Sequence, residues 1–383
     1  MSTLRLMVTV SLLAAVSPAA PRPHPYVYRP VSVSIVPGFS TNGPAAQYFR
    51  SNLSLNVIGG NLGQLEGVEL GGVFNIDEGD VYGYQAAGVF NTVGGVFGGV
   101  QQAGVFNIVE QNMLAYQAAG VFNIAGGGFG GVQQAGVFNT VENEFAGAQT
   151  AGVVNVVGGG FLGAQVAGVA NVAGGGFTGA QLAGVVNVAE RLSGLQLAGV
   201  VNAADEFNGA QVGLVNITGR GSGLQLGLVN IADDMDCPIG LVSIVGNGMF
   251  HADVWATDFA PVNVGIKAGS RMIYNVFMLG WRPDGAEPRL FAGLGIGGHI
   301  PLNDFFVDID VLNHGVYRDP QWFEEGGADL LSSLRLTGGW QFTDFLAVTA
   351  GPTLNVSFSS DEGPGEYEEV SIWPGFTVGL QLL

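Results

Sequence analysis

GVQQAGVFN at residues 99–107 returns letter for letter at 131–139, with AYQAAGVFN at 115–123 between them. Working outward, the unit recurs upstream as GYQAAGVFN ending at Asn91. Downstream it recurs as GAQTAGVVN, GAQVAGVAN and GAQLAGVVN, ending at Asn155, Asn171 and Asn187. Shortened copies follow as GLQLAGVVN, GAQVGLVN, GLQLGLVN and CPIGLVS, ending at Asn202, Asn216, Asn230 and Ser243; ELGGVFN at 69–75 is a first copy with Glu69 in the Gln place. Self-similarity at a fixed short period marks a repeat architecture and outranks any local motif.

From Asn91 to Asn187 the period is 16 residues, split as ten from Asn to the next Gln and six from Gln to Asn; it later becomes nine plus six, then nine plus five. Both intervals lose a residue without losing the motif. A continuous strand could not do this, because a one-residue slip turns every side chain to the other face. Each interval therefore contains a turn or bulge. The wider one shows it in Gly94-Gly95, Gly126-Gly127-Gly128 and Gly158-Gly159-Gly160. Two short strands per unit are expected, one around the Gln and one around Val-x-Asn-x.

Strands of ~6 residues at ~3.3 Å each reach about 20 Å, short of the 9 to 11 tilted residues a membrane strand needs. The favoured alternative is a parallel β-solenoid. There each unit is one coil stacked ~4.8 Å from the next, and twelve coils give a rod on the order of 55 Å. Identical residues then align into columns. Gln85, Asn91, Gln101, Asn107, Gln117, Asn123, Gln133, Asn139, Gln149, Asn155, Gln165, Asn171, Gln181 and Asn187 become structural ladders whose amides hydrogen-bond from coil to coil. The column Phe90, Phe106, Phe122, Phe138 reads as core or as a packed face, and the repeat alone does not say which side of that strand points inward.

The chain has 383 residues, 64 of them Gly, a hydrophobic share of 48% and a net charge of −19. That hydrophobic share excludes disorder, and the acidic balance argues against nucleic acid or anionic lipid as a partner. The one cysteine, Cys237, excludes an internal disulfide. No Ser/His/Asp set, metal-ligand spacing or phosphate loop is found, so no catalytic, cofactor or metal residues are assigned and the chain reads as a non-enzyme. Calcium-type repeats would need an Asp that these units lack, and an ice-binding face would need ranks of Thr. Residues 1–20, MSTLRLMVTVSLLAAVSPAA, read as a secretory signal peptide, followed by a Pro-containing lead-in with one or two strands over 21–60, the solenoid over 61–244 and a further domain over 245–383.

All five tryptophans lie in that last segment, and its strands alternate cleanly; in 346–358 the even positions are Leu, Val, Ala, Pro, Leu, Val, Phe. About eight such strands are expected, within 250–257, 262–271, 272–281, 289–300, 305–314, 334–342, 346–358 and 376–382. Their length and pattern favour an antiparallel β-barrel of outer-membrane type over a soluble sandwich, which would alternate in the same way. Tyr274, Trp281, Trp340, Phe342, Phe345 and Trp373 are the expected interfacial girdle. His251, Asp253, Lys267, Arg271, Asp308, Asp310 and Arg335 are expected to face inward as an ion-paired plug. The acidic stretches 318–329 and 359–369 read as solvent-facing loops with room for a weak divalent-cation site.

The repeats GxQxGLVN, followed by PIGLVSIVGNG (238–248), VNVGIKAGSRMIYNVFMLG (262–280) and GPTLNV (351–356), resemble bacterial surface-repeat proteins of the leptospiral type. IVPGFSTNG (35–43) and NLSLNVIGG (52–60) look like that family's lead-in, so the resemblance spans nearly the whole chain after residue 20. It departs in the 16-residue units with their extra Ala-Gly, and in the strongly acidic balance. The resemblance implies a cell-surface or outer-membrane location and no known enzymatic activity; with the barrel reading, the expected partners are outer-membrane lipid and an unidentified surface ligand or envelope component.

Overall fold

The computed structural model describes residues 26–283, 289–317, 329–359 and 369–383. The chain is all-β: a parallel β-solenoid of about 12 turns is followed by a closed antiparallel barrel of eight strands. Two compact units, up to Ala167 and from Gly168 on, are described in turn.

In the first unit each coil has a seven-residue strand, such as Phe97–Ala103, a Gly-Val corner, and a four-residue strand, such as Phe106–Val109. Each strand pairs in parallel and in register with the strand one period away, so Phe97, Gln101 and Ala103 stand against Met113, Gln117 and Ala119. Asn107 likewise stands against Asn123. A coil hides four or five side chains, four of them at the places of Phe97, Gln101, Asn107 and Val109. The stretch 26–62 stacks on this register: Val31–Val36 pairs with Phe49–Asn56, which pairs with Gln64–Gly71.

One position carries the bend of the longer strand, and it is glycine in these coils except the one with Ala115. Gly83, Gly99, Gly131, Gly147 and Gly163 all have φ between 121° and 136°, a left-handed backbone that an L side chain resists. A Cβ on Gly147 would also run into the carbonyl of Gly131 in the coil before it.

The Phe column resolves as a packed outer face. Phe90, Phe106, Phe122 and Phe138 are half-buried, and their rings stack 4.9 Å apart at 1–3°. That spacing is the strand repeat itself. The buried phenylalanines are the other set, Phe97, Phe129, Phe145 and Phe161.

In the second unit the two expected strands of a coil merge into one of 11 to 14 residues, as in Ala170–Ala183 and Val229–Ile239. The merger begins in a coil that keeps the ten-residue interval, Asn171 to Gln181, and the register shifts at Ala173/Gly176 and Gly221/Leu224 fall where a coil pairs with one that is a residue shorter. The barrel strands are Met249–Thr257, Val262–Gly269, Ile273–Arg282, Arg289–Leu302, Phe305–Tyr317, Asp329–Thr343, Leu346–Ser359 and Glu369–Leu382. The last pairs with the first, which closes the sheet and excludes the two-sheet sandwich.

Candidate functional site

The amide ladders occupy the solenoid core. Gln85, Gln101, Gln117, Gln133, Gln149, Gln165 and Gln181 are fully buried, as are Asn91, Asn107, Asn123, Asn139, Asn155, Asn171 and Asn187. Each Asn Nδ2 donates to the Asn Oδ1 one coil later, from Asn56 through Asn75 to Asn155 in the first unit and from Asn171 to Asn230 in the second. Its second hydrogen goes to a backbone carbonyl, as from Asn91 to Gln102. That bond fixes which end of the amide is nitrogen.

The Gln ladder runs the other way: each Nε2 donates to the Oε1 one coil earlier, from Gln165 back to Gln85 and from Gln225 back to Gln181. Aligned amides in one direction would sum to a macrodipole, as they do in a helix. Two ladders in opposite directions cancel it. The ladders satisfy buried polar groups that would otherwise cost about 1–3 kcal/mol each.

The two ends of the ladders differ. At the start, Gln85 Nε2 meets carboxylates, donating to Glu69 Oε2 at 2.9 Å and Asp77 Oδ2 at 2.5 Å. Glu69 stands in the Gln column and Asp77 in the column of Val93 and Val109. Burial, and then the charge of Glu69, push the Asp77 carboxyl well above the usual carboxylate range. At the far end Pro238 stands opposite Gln225 and Ser243 opposite Asn230. Gln225 Oε1 and Asn230 Nδ2 have no hydrogen-bond partner there.

The barrel wall separates chemistry by parity. Across the paired strands the outward positions run Phe250, Val254; Val264, Ile266; Phe277, Leu279; Leu294, Ile300; Ile309, Val311; Leu334, Leu336; Val348, Leu354; Phe376, Val378. Among the described strands no Asp, Glu, Lys, Arg or His falls on the outward parity. Phe250 and Ile372 are 70% and 67% exposed. Soluble monomers rarely leave contiguous apolar patches beyond about 300–600 Å² uncovered.

All the charge sits on the inward parity. Lys267 Nζ lies 2.6 Å from Asp308 and 3.2 Å from Asp253, and His299 Nδ1 lies 2.7 Å from the other oxygen of Asp308. Arg335 binds Asp310 at 2.7 Å, where the Tyr274 hydroxyl also donates, and its guanidinium lies 4.8 Å from the Trp255 ring centroid. His251 pairs with Gln381 at 2.7 Å. Gly297 makes room, because a Cβ there would collide with Tyr274 and Asp310. Toward the opposite rim the interior turns apolar, with Phe259, Phe291, Val316 and Leu331 packed against Trp373.

Three expectations are corrected here. Arg271 is exposed in the turn 270–272, where it donates to the Asn247 carbonyl, because the strand before it ends at Gly269. Tyr274 is buried inside, with its hydroxyl on Asp310. Trp373 also points inward and donates to Asp258. The aromatics that do lie outward near the strand ends are Trp281, Tyr317, Phe250, Phe305, Trp340, Phe342 and Phe345. His299, Gln381 and Asn355 belong to the interior network with Tyr274 and were not singled out from sequence. The signal was parity: Tyr274 differs in parity from Trp281, and Trp373 from Phe376.

The signal peptide expected at 1–20 lies outside the described residues, as do 318–328 and 360–368, where a cation site was considered. Among the described residues no group of three or more His, Cys, Asp or Glu could hold a metal ion, and no helix is long and apolar enough to cross a membrane. No family model, curated protein or solved structure matches the chain.

Proposed function

We propose that this chain is an exported, non-enzymatic structural protein of a bacterial outer membrane, in which the barrel is the anchor and the solenoid is the part it carries. The observation that carries the reading is the apolar, uncharged outer wall of the barrel. Lipid is the solvent such a wall suits. About ten residues at ~3.3 Å, tilted by 35–45°, cover the ~25 Å apolar band of an outer-membrane barrel. Aromatic side chains near both strand ends fit an interfacial girdle. The filled, ion-paired interior favours an anchor over a transport pore.

The solenoid supports a scaffold role for the same reason its ladders are regular. The side chains that repeat most faithfully, the Gln and Asn columns, are consumed by bonds to each other. They hold the coils in register and are not free to take a ligand. The sequence resemblance to leptospiral-type surface-repeat proteins points to the same class, with lipid and an envelope component or surface ligand as partners.

Fractionation of native envelopes tests the reading. The full chain should resist extraction by alkaline carbonate and urea, while a chain cut after Gly248 should not be retained. Release of the full chain by carbonate would overturn it.

A further inference from the structure

The two rims of the barrel are unequal. On the rim where the chain enters at Met249, the connections are 270–272, 303–304 and 344–345; on the other they are 258–261, 283–288, 318–328 and 360–368. The two longest are acidic in sequence, with Asp319, Glu324 and Glu325 in one and Asp361, Glu362 and Glu366 in the other. Outer-membrane barrels place short turns toward the periplasm and long loops outside. With eight strands, an even number, the chain leaves at Leu382 on the rim by which it entered.

The last coils are fixed to that short-turn rim. Ser270 Oγ donates to the Asp236 carbonyl at 2.8 Å, and Asn275 Nδ2 to the Gly240 carbonyl at 2.7 Å. Asn275 is one of the few polar side chains on the outward parity, and it is 5% exposed. The Nδ2 of a polar side chain on the wall is therefore capped by solenoid backbone, and the lipid-facing band begins only beyond it. Asn313 and Ser332, the polar pair toward the long-loop rim, instead bond each other at 2.7 Å.

Resting on the membrane reading above, we infer that the solenoid lies on the periplasmic side of the outer membrane and that the long acidic connections face outward. The partner of the repeat is then a component of the periplasm, and the exterior is met only by the loops of the barrel. This departs from a surface-displayed adhesive rod.

Cysteine accessibility in whole cells decides it. In the full chain with Cys237→Ser as background, Leu214→Cys places a thiol on a coil of the same compact unit as the barrel, at a site 48% exposed. Pro261→Cys places one at an exposed position at the end of the 258–261 connection, past the buried Phe259 and Ala260. A membrane-impermeant maleimide should label Pro261→Cys on intact cells and Leu214→Cys only after the outer membrane is permeabilised. Labelling of Leu214→Cys on intact cells overturns the inference, as does a Pro261→Cys that stays silent until permeabilisation. Carbonate extraction of the same samples separates the two failures. A resistant protein with the opposite labelling refutes the orientation alone; a protein that washes free refutes the membrane reading and the orientation with it.

Discussion

Solenoid and barrel bury polar groups in opposite ways. The solenoid repeats one neutral solution: an Asn and a Gln per coil, each bonded to its own copy a period away. The barrel uses a single charged solution, in which Lys267 is shared by Asp253 and Asp308, and Asp310 by Arg335 and Tyr274. The repeated solution is available only to parallel, in-register strands, where like meets like. Antiparallel strands bring unlike residues face to face, so each partnership is built once.

The contrast predicts that the barrel is the more fragile to one substitution. Lys267→Met leaves Asp253 and Asp308 buried without their shared cation. Breaking a buried pair from one side costs about 3–5 kcal/mol. Denaturation of the protein in detergent micelles should show that loss, and Lys267→Met with Asp308→Asn should recover part of it. A Lys267→Met barrel as stable as the parent would mean that the charges are not coupled.

Within the solenoid the same logic separates middle from end. Gln133→Leu strips a donor from Gln117 Oε1 and an acceptor from Gln149 Nε2. Two buried atoms left unpaired cost about 2–6 kcal/mol. Gln225→Leu strips only the donor to Gln211 Oε1, and removes an atom that already has no partner. Hydrogen exchange of the coil amides should rank Gln133→Leu well above Gln225→Leu; equal effects would show that the ladder is not the source of stability.

Gly147→Ala tests the backbone beneath the ladders. At φ +136° and against the Gly131 carbonyl, the added methyl should cost about 1–3 kcal/mol. Ala115 occupies the same column one coil before Gly131, and it is not among the residues with positive φ. Ala115→Gly relieves no strain and should cost about 0.5–1 kcal/mol, less than Gly147→Ala, in the same hydrogen-exchange measurement.

The solenoid was legible because identical residues at a fixed period leave parallel stacking as the one arrangement in which all of them meet. Eight barrel strands were legible because alternation survives over their whole length. The facing of Val-x-Asn-x was harder, since Phe106 and Asn107 are adjacent and the larger apolar residue invites the core. The Asn went inside because a ladder satisfies it completely, and the Phe column drifts to Val154 and Ala170 because an outer stack tolerates change. Tyr274 and Trp373 were misplaced because aromatic identity was weighted over strand parity. The partnership of His299 with Asp308 depends on cross-strand register, which alternation does not set.

The smallest effect on the whole chain should come from the start of the Gln ladder, where no bond is lost and only a titration changes. Asp77 is 2% exposed beside Glu69, and its carboxyl is held protonated above the ordinary range. Since the folded value is raised, its stabilising effect is complete at acid pH, below the ordinary carboxylate range. It is lost as pH climbs toward the folded value, at about 1.4 kcal/mol per pH unit between the two. Asp77→Asn keeps the shape and removes the titration. The variant and the parent should match in acid, and the parent's first coils should exchange their amides faster as pH rises, while the variant's intrinsic protection stays level. If the two remain parallel from acid to neutral pH, Asp77 is ionised in the folded chain, and the ladder ends on a charge in place of a proton.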